Sequence, residues 1–133
     1  LTGSAIVTAA LSAQLEADSG LSLSEYEVLV RLSETSDHTL RMSQLADGLV
    51  HSRSRLTHTV SRMERRGLVE RQACEGDGRG VNCHMTDKGF QALVEAAPGH
   101  VMAVRRVLVD VLSEEQFAAL GEAMAIVTER FRD

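Results

Sequence analysis

The chain has 133 residues, a mass of 14.5 kDa and a formal net charge of −5, with 44% hydrophobic and 25% charged residues. That is ordinary globular usage, which excludes a mainly disordered or collagen-like chain, and no apolar run reaches the roughly 18–20 residues of a membrane span. Two cysteines, Cys74 and Cys83, are too few for a disulfide scaffold and point to a reducing, cytoplasmic compartment. One Tyr, three Phe and no Trp argue against binding bases by stacking on aromatic platforms. Leu1 is not an initiator Met and no basic leader precedes Ile6, so we expect upstream residues and a first helix that begins before Leu1.

In chain order, Val7, Leu11 and Leu15 recur at four-residue steps and predict a helix α1 over 4–18, ended by Asp18-Ser19-Gly20. Ser24-x-x-Glu27 reads as a capping box for a second helix, α2, carrying Val28, Leu29 and Leu32. Ser36-Asp37-His38 breaks it. A short extended piece, β1, follows at 39–42, and Ser43 is positioned to cap a helix α3 bearing Leu45, Ala46 and Leu49. Helix α4 is expected over 54–66, with Ser52 or Arg53 at its start and Gly67 closing it. Two β-compatible runs, β2 at 68–74 and β3 at 81–86, are joined by a glycine-rich hairpin. Thr86 caps a long helix α5 over 87–111, kinked near Pro98-Gly99. Ser113-x-x-Gln116 opens α6, which runs to about residue 132.

The charge is uneven. Residues 41–79 hold eight arginines and five acids, net +3, while the rest of the chain is net −8. A basic middle in an acidic protein points to a localised anionic partner. With Leu56, Val60 and Met63 turned inward, the outer arc of α4 carries Ser54, His58, Ser61, Arg62 and Arg65, flanked by Arg55 and Thr57. Hydroxyl, imidazole and guanidinium groups without an apolar side chain suit phosphates and base edges. The helix N-terminus, at Ser52 and Arg53 with Ser43 nearby, suits phosphate. Two short helices with the second basic outward, then a hairpin with Arg79 at its tip, define a winged helix-turn-helix that would lay α4 in the major groove of duplex DNA and Arg79 in a minor groove.

The expected fold is therefore mainly α with a small β-wing (α+β), in the order α1-α2-β1-α3-α4-β2-wing-β3-α5-α6. We read one domain, 1–133, with a winged helix-turn-helix lobe at 24–89 and a helical dimerisation lobe from 1–20 and 87–133. The stripes Val7/Leu11/Leu15, Val101/Val104/Leu108/Val111 and Phe117/Leu120/Met124/Val127 exceed what one small core covers, so α1, α5 and α6 are expected to pack on a second copy.

Several stretches resemble the MarR family of transcriptional regulators. They are Leu21-Ser22-Leu23-Ser24-Glu25-Tyr26-Glu27-Val28-Leu29, Met42-Ser43-Gln44-Leu45-Ala46, the run 54–71, Asp77-Gly78-Arg79-Gly80 and Met85-Thr86-Asp87-Lys88-Gly89. The resemblance covers nearly the whole chain. It implies a homodimer on a pseudo-palindromic operator, acting most often as a repressor and released by a small, often anionic aromatic effector. It places Ser54, Arg55, Thr57, His58 and Arg62 at recognition-helix positions and Asp77 and Arg79 in the wing, with Asp77 orienting Arg79. His58 departs from the arginine that many members carry, and a histidine contact is pH-dependent.

Other residues admit two readings. Tyr26 and Met42 either line an effector cleft or fill the core. If Cys74 pairs opposite Val81, Cys83 lies opposite Gln72, and the two sulfurs share a face near the limit for a bridge. The alternatives are a redox-sensing regulator and two inert thiols. His51, at the α3–α4 turn, is expected to bond backbone or phosphate. The histidines show no i, i+4 pair and there is no Cys-x-x-Cys, so no metal or other cofactor is expected. No catalytic array is recognisable, and the glycines at 76–80 lack the Lys-Ser/Thr of a phosphate loop. A winged-helix module that binds protein rather than DNA remains the alternative to a DNA-binding regulator.

Overall fold

The computed structural model describes residues 1–49, 51–74 and 80–132. The elements are α1 Thr2–Ser19, α2 Leu23–Ser33, β1 Thr39–Arg41, α3 Met42–Leu49, α4 Arg53–Arg65, β2 Val69–Ala73, β3 Val81–Met85, α5 Asp87–Val104, a π-helical turn Arg105–Val109, and α6 Glu114–Phe131. Their order and type are those expected. Helix ends follow local chemistry. Gly20 (φ 71°) and Gly67 (φ 76°) take the left-handed conformation that closes α1 and follows α4. Ser52, Thr86 and Ser113 each accept the N–H of the residue three positions on.

Two caps differ from the expectation. The capping box of α2 is Ser22/Glu25, not Ser24/Glu27. Both pairs fit the motif. The earlier one places Leu21 and Tyr26 at the two positions of a hydrophobic staple, and both are buried in the core. Ser43 does not cap α3, because β1 runs straight into that helix and leaves Ser43 inside its first turn. The cap bond comes instead from Gln44, whose Oε1 accepts the Arg41 N–H at 3.2 Å.

The three strands form an antiparallel sheet in the order β1-β3-β2. Ala73 pairs with Val81, Gln72 with Asn82 and Arg71 with Cys83, and Cys74 N–H donates to Gly80 O. The register is thus one residue away from the one that would bring the thiols together. Cys74 follows the face of Gly80 and Asn82, and its Sγ donates to Asn82 Oδ1 at 3.1 Å. Cys83, three positions beyond Gly80, faces the other side. About 10 Å of strand and opposite faces exclude a Cys74–Cys83 bridge. Both cysteines are buried, and burial raises the Cys83 thiol to about 12. This removes the disulfide switch considered above.

One core joins the inward faces of α2, α3, α4 and the sheet to Leu15 of α1 and Leu93 and Ala96 of α5. Leu56, Val60 and Met63 are at most 1% exposed, as their spacing predicts. Leu15 is fully buried here, so it cannot belong to a face that meets another copy. A half-exposed ion pair ties α2 to the end of α4: Glu25, itself buried, accepts the Ser22 N–H on Oε1 and accepts from Arg66 on Oε2, and Arg66 also donates to Gly20 O at the end of α1.

Helix α5 is shorter than expected and continues unbroken through Pro98. The departure from α geometry falls seven residues later, at the π-helical turn, where Asp110 N–H reaches back five residues to Arg105 O. Among the described residues, α6 packs extensively against no other element of its own chain, and none of it is buried. Its Phe117, Leu120, Met124 and Val127 are at least 40% exposed. Its far end is held to α3 by Arg132, which donates to Asp47 O and Gly48 O.

Candidate nucleic-acid interface

Helix α4 is amphipathic in a way that separates its tasks. Thr59 joins Leu56, Val60 and Met63 in the core, its hydroxyl bonded to Arg55 O at 3.1 Å. On the other side Ser52, Arg53, Ser54, Arg55, Thr57, His58, Arg62 and Arg65 are all exposed, and Ser61 is half-buried. The expected outward arc is therefore the exposed one. Among the described residues no acid forms an ion pair with Arg53, Arg62 or Arg65. Arg55 leans back toward α2, where it donates to Ser24 Oγ at 3.0 Å. The Thr57 hydroxyl donates to Arg53 O, which leaves its lone pairs free.

The start of α4 opens onto a cleft of about 500 Å³. It brings together Ser43, Arg53 and Thr57 from the expected set with Arg41, Met42 and Arg71, and the base of the wing at Gly80 and Val81 closes one side. At the first turn of α4, Ser52 Oγ takes the Arg55 N–H and Ser52 O takes that of Leu56. The N–H groups of Arg53 and Ser54 remain as donors at the positive end of the helix dipole. Three guanidinium groups around such an end, that of Arg71 already paired with Glu64, are chemistry suited to an anion. Arg41 and Arg71 were missed in the sequence. Arg71 sits in a strand whose burial pattern is exposed after its first residue, and the polar run Glu70-Arg71-Gln72 beside α4 is the signal that could have flagged it. For Arg41, at the edge of a three-residue strand, no comparable signal exists.

Glu64 near the end of α4 accepts three bonds from Arg71: the backbone N–H at 2.9 Å, Nη2 at 2.9 Å and Nε at 3.3 Å. Those bonds hold the Glu64 carboxyl below its usual range. They also brace the wing strand against the helix. Asp77 and Arg79, expected at the wing tip, lie outside the described residues.

The structure does not bring the two suggested effector residues to one place. Met42 lines the basic cleft. Tyr26 is 8% exposed and packs against His100, ring centroids 4.5 Å apart, while His100 Nδ1 meets Gln14 Oε1 at 3.0 Å. Burial raises Tyr26 and lowers His100. His51 is buried too, its Nε2 3.6 Å from Glu27. Burial, with Arg55 nearby, lowers His51 below the ordinary histidine value, against the pull of Glu27. Among the described residues no group of three or more metal-ligating side chains converges.

A helix-turn-helix whose second helix is basic outward, followed by a two-stranded hairpin that β1 extends to a three-stranded sheet, defines the winged helix-turn-helix class. Residues 19–80 match the family model of the MarR family. The chain is 32% identical over 97 residues to the HTH-type transcriptional regulator PecS of Dickeya dadantii (strain 3937), covering 72% of this chain and 58% of PecS. It therefore spans little more than half the length of that relative. It is 30% identical over 105 residues to the HTH-type transcriptional regulator MhqR of Bacillus subtilis (strain 168), covering 79% and 70%. Sco3205, a MarR family transcriptional regulator from Streptomyces coelicolor solved in complex with DNA, superposes with a TM-score of 0.95 at 40% identity, over 99% of this chain and 82% of that one. The chain belongs to the MarR family of transcriptional regulators.

Proposed function

We propose that the protein is a cytoplasmic repressor that binds a pseudo-palindromic operator in duplex DNA as a homodimer, and that a small effector releases it. The observation that carries DNA binding is the exposed, acid-free face of α4 opening onto a cleft lined by Arg41, Arg53 and Arg71. In this reading His58 and Arg62 reach base edges in the major groove, and Ser43, Arg41 and Arg53 hold phosphates beside it. The wing residues Asp77 and Arg79 contribute at the adjacent minor groove. The apolar face of α6, exposed among the described residues, supports the dimer, as do the exposed Val101 and Val111. A C2 dimer would match the two-fold symmetry of an operator.

The test begins by selecting duplexes from a random pool, then measures anisotropy on the selected and a scrambled duplex over a salt series. Affinity should fall steeply with salt, and sedimentation should show two chains per duplex. Arg62→Ala should cost roughly 1–3 kcal/mol on the selected duplex and much less on the scrambled one. Arg53→Ala should weaken both alike and lower the salt slope by about one unit. Absence of duplex binding at any salt would turn the assignment toward a winged-helix module that binds protein.

A further inference from the structure

Arg53 and Arg55 stand two residues apart at the start of α4, which is about 200° around a helix. They therefore leave α4 on opposite flanks, with Ser54, His58, Ser61 and Arg65 on the arc between them. Their surroundings agree with that geometry. Arg53 lines the cleft formed with β1, α3 and the base of the wing. Arg55 lies toward α2, in a second hollow of about 420 Å³ that Ser24, Ser54, His58 and Arg62 also line. The two hollows have no residue in common. The lining of the second holds two arginines, a histidine and three hydroxyls, and no acid.

The side chain of Arg55 is held on its flank by another element. Its Nη2 donates to Ser24 Oγ of α2 at 3.0 Å. That bond uses one N–H of the guanidinium fork and leaves the others as donors. It engages the Ser24 oxygen as an acceptor and leaves the Ser24 O–H to donate. Glu16 and Glu27 line a further hollow on the α1 side of Arg55. Among the described residues, however, Arg55 forms an ion pair with neither. Ser24 thus fixes an unneutralised guanidinium beside the reading arc and off the arc itself.

We propose that Ser24 and Arg55 form a phosphate anchor for the DNA strand opposite the one that Arg53 holds. A helix with its side chains is about 10–12 Å across, and the major groove is about 12 Å wide. A reading helix therefore fills the groove, and its two flanks face the two sugar–phosphate walls, one from each strand. Arg53 meets one wall from the wing side. Arg55 meets the other, where its guanidinium and the Ser24 O–H converge on one phosphate. The bond to Ser24 orders a long side chain before DNA arrives, so less freedom is lost on binding. Arg55 then fixes the seating of α4 in the groove and reads no base, although it belongs to the reading helix. The assignment rests on the DNA-binding reading above and adds a residue of α2 to it.

Anisotropy on the selected and scrambled duplexes tests the anchor, with a neutral methylphosphonate placed at one phosphate at a time. Arg55→Ala should weaken both duplexes alike by about tenfold and lower the salt slope by about one unit. Ser24→Ala should weaken both by about threefold, and Ser24→Thr, which keeps the hydroxyl, should bind as the parent does. For the parent, neutral substitution should cost affinity at phosphates on both strands of a half-site. Arg55→Ala should lose its sensitivity at one of these, and Arg53→Ala at one on the other strand. Circular dichroism checks folding, which neither change at the anchor threatens, since Arg55 is exposed and Ser22, not Ser24, caps α2. A loss by Arg55→Ala confined to the selected duplex would make Arg55 a base reader and overturn the anchor. So would sensitivities lost on the same strand by Arg53→Ala and Arg55→Ala, or a Ser24→Ala variant equal to the parent. A parent that binds neither duplex overturns the DNA-binding reading and the anchor with it. A parent that binds, matched by its Arg55→Ala variant, refutes the anchor alone.

Discussion

Gly89 shows how a single residue fixes the junction of the wing and α5. Thr86 Oγ1 accepts the Gly89 N–H and donates to Gly67 O at 2.6 Å, which draws the first turn of α5 onto the strand that begins after Gly67. A Cβ at position 89 would collide with the Leu68 carbonyl oxygen, a backbone atom that cannot turn aside. Gly89→Ala should therefore destabilise the fold by about 2–3 kcal/mol, as overpacking does, with the loss read from urea unfolding midpoints at pH 7.5. A variant as stable as the parent would mean that the junction opens without strain. The sequence marks Thr86 as a cap but carries no sign of this contact, since the colliding carbonyl is 21 residues away and known only once the strands are paired. Ser22 and Ser24 make the same point. Each begins a valid capping box, and only the burial of Leu21 and Tyr26 decides between them.

At the scale of elements, α4 was readable because its two faces differ in chemistry: Leu56, Val60 and Met63 recur at helical spacing, and the opposite arc carries no apolar residue. The hairpin was readable as a pair of strands but not in register, since a one-residue slip leaves its composition unchanged while reversing which faces Cys74 and Cys83 occupy. The stripe assigned to the second half of α5 leaves Val101 and Val111 exposed on this chain, beside the positions that α5 buries in its own core. Buried positions run through Ala96, His100 and Ala103, and the π-helical turn then alters the phase on which any count at 100° per residue depends. The Glu64–Arg71 brace joins α4 to the wing across seven residues of sequence. Both side chains are about one-third exposed, so Glu64→Gln should cost under about 1 kcal/mol in stability. Its effect should appear on DNA instead. With a negative charge removed beside the cleft and Arg71 released, affinity for a scrambled duplex should rise by about threefold or more, and discrimination in favour of the selected duplex should narrow. Anisotropy on the two duplexes measures both, and an unchanged ratio would show that wing and helix read DNA independently.

For the molecule as a whole, His100 joins the two lobes, while His51 ties together elements within the winged lobe. His100 of α5 meets Tyr26 of α2 and Gln14 of α1, and His51 links the α3–α4 turn to Glu27 of α2. Burial lowers both below the ordinary histidine value. The unfolded chain therefore takes up protons near pH 6.5 that the folded chain refuses, and stability should be full above that value and decline as pH falls below it. Glu64, also lowered, adds a second decline at still lower pH, below the ordinary carboxylate range. Urea midpoints from pH 7.5 to 5.5 should fall for the parent chain and fall less for His100→Gln, which is less stable at neutral pH but has no imidazole to protonate. Identical slopes would assign the decline to other groups.

The π-helical turn at Arg105–Val109 has a consequence for how such a protein changes over time. A helix that takes in one residue beyond its α repeat can absorb it as a widened turn instead of expelling it as a loop, and everything beyond is then rotated by about 100°. Here the turn stands after the last residue that α5 buries in its own core, Ala103, and before α6 begins at Glu114. A one-residue insertion or deletion at this point would re-aim α6 and give up the Arg132 bonds to α3, while leaving the packing of α2, α3, α4 and the sheet unchanged. The exposed apolar face of α6 and the winged helix-turn-helix are thus free to drift separately.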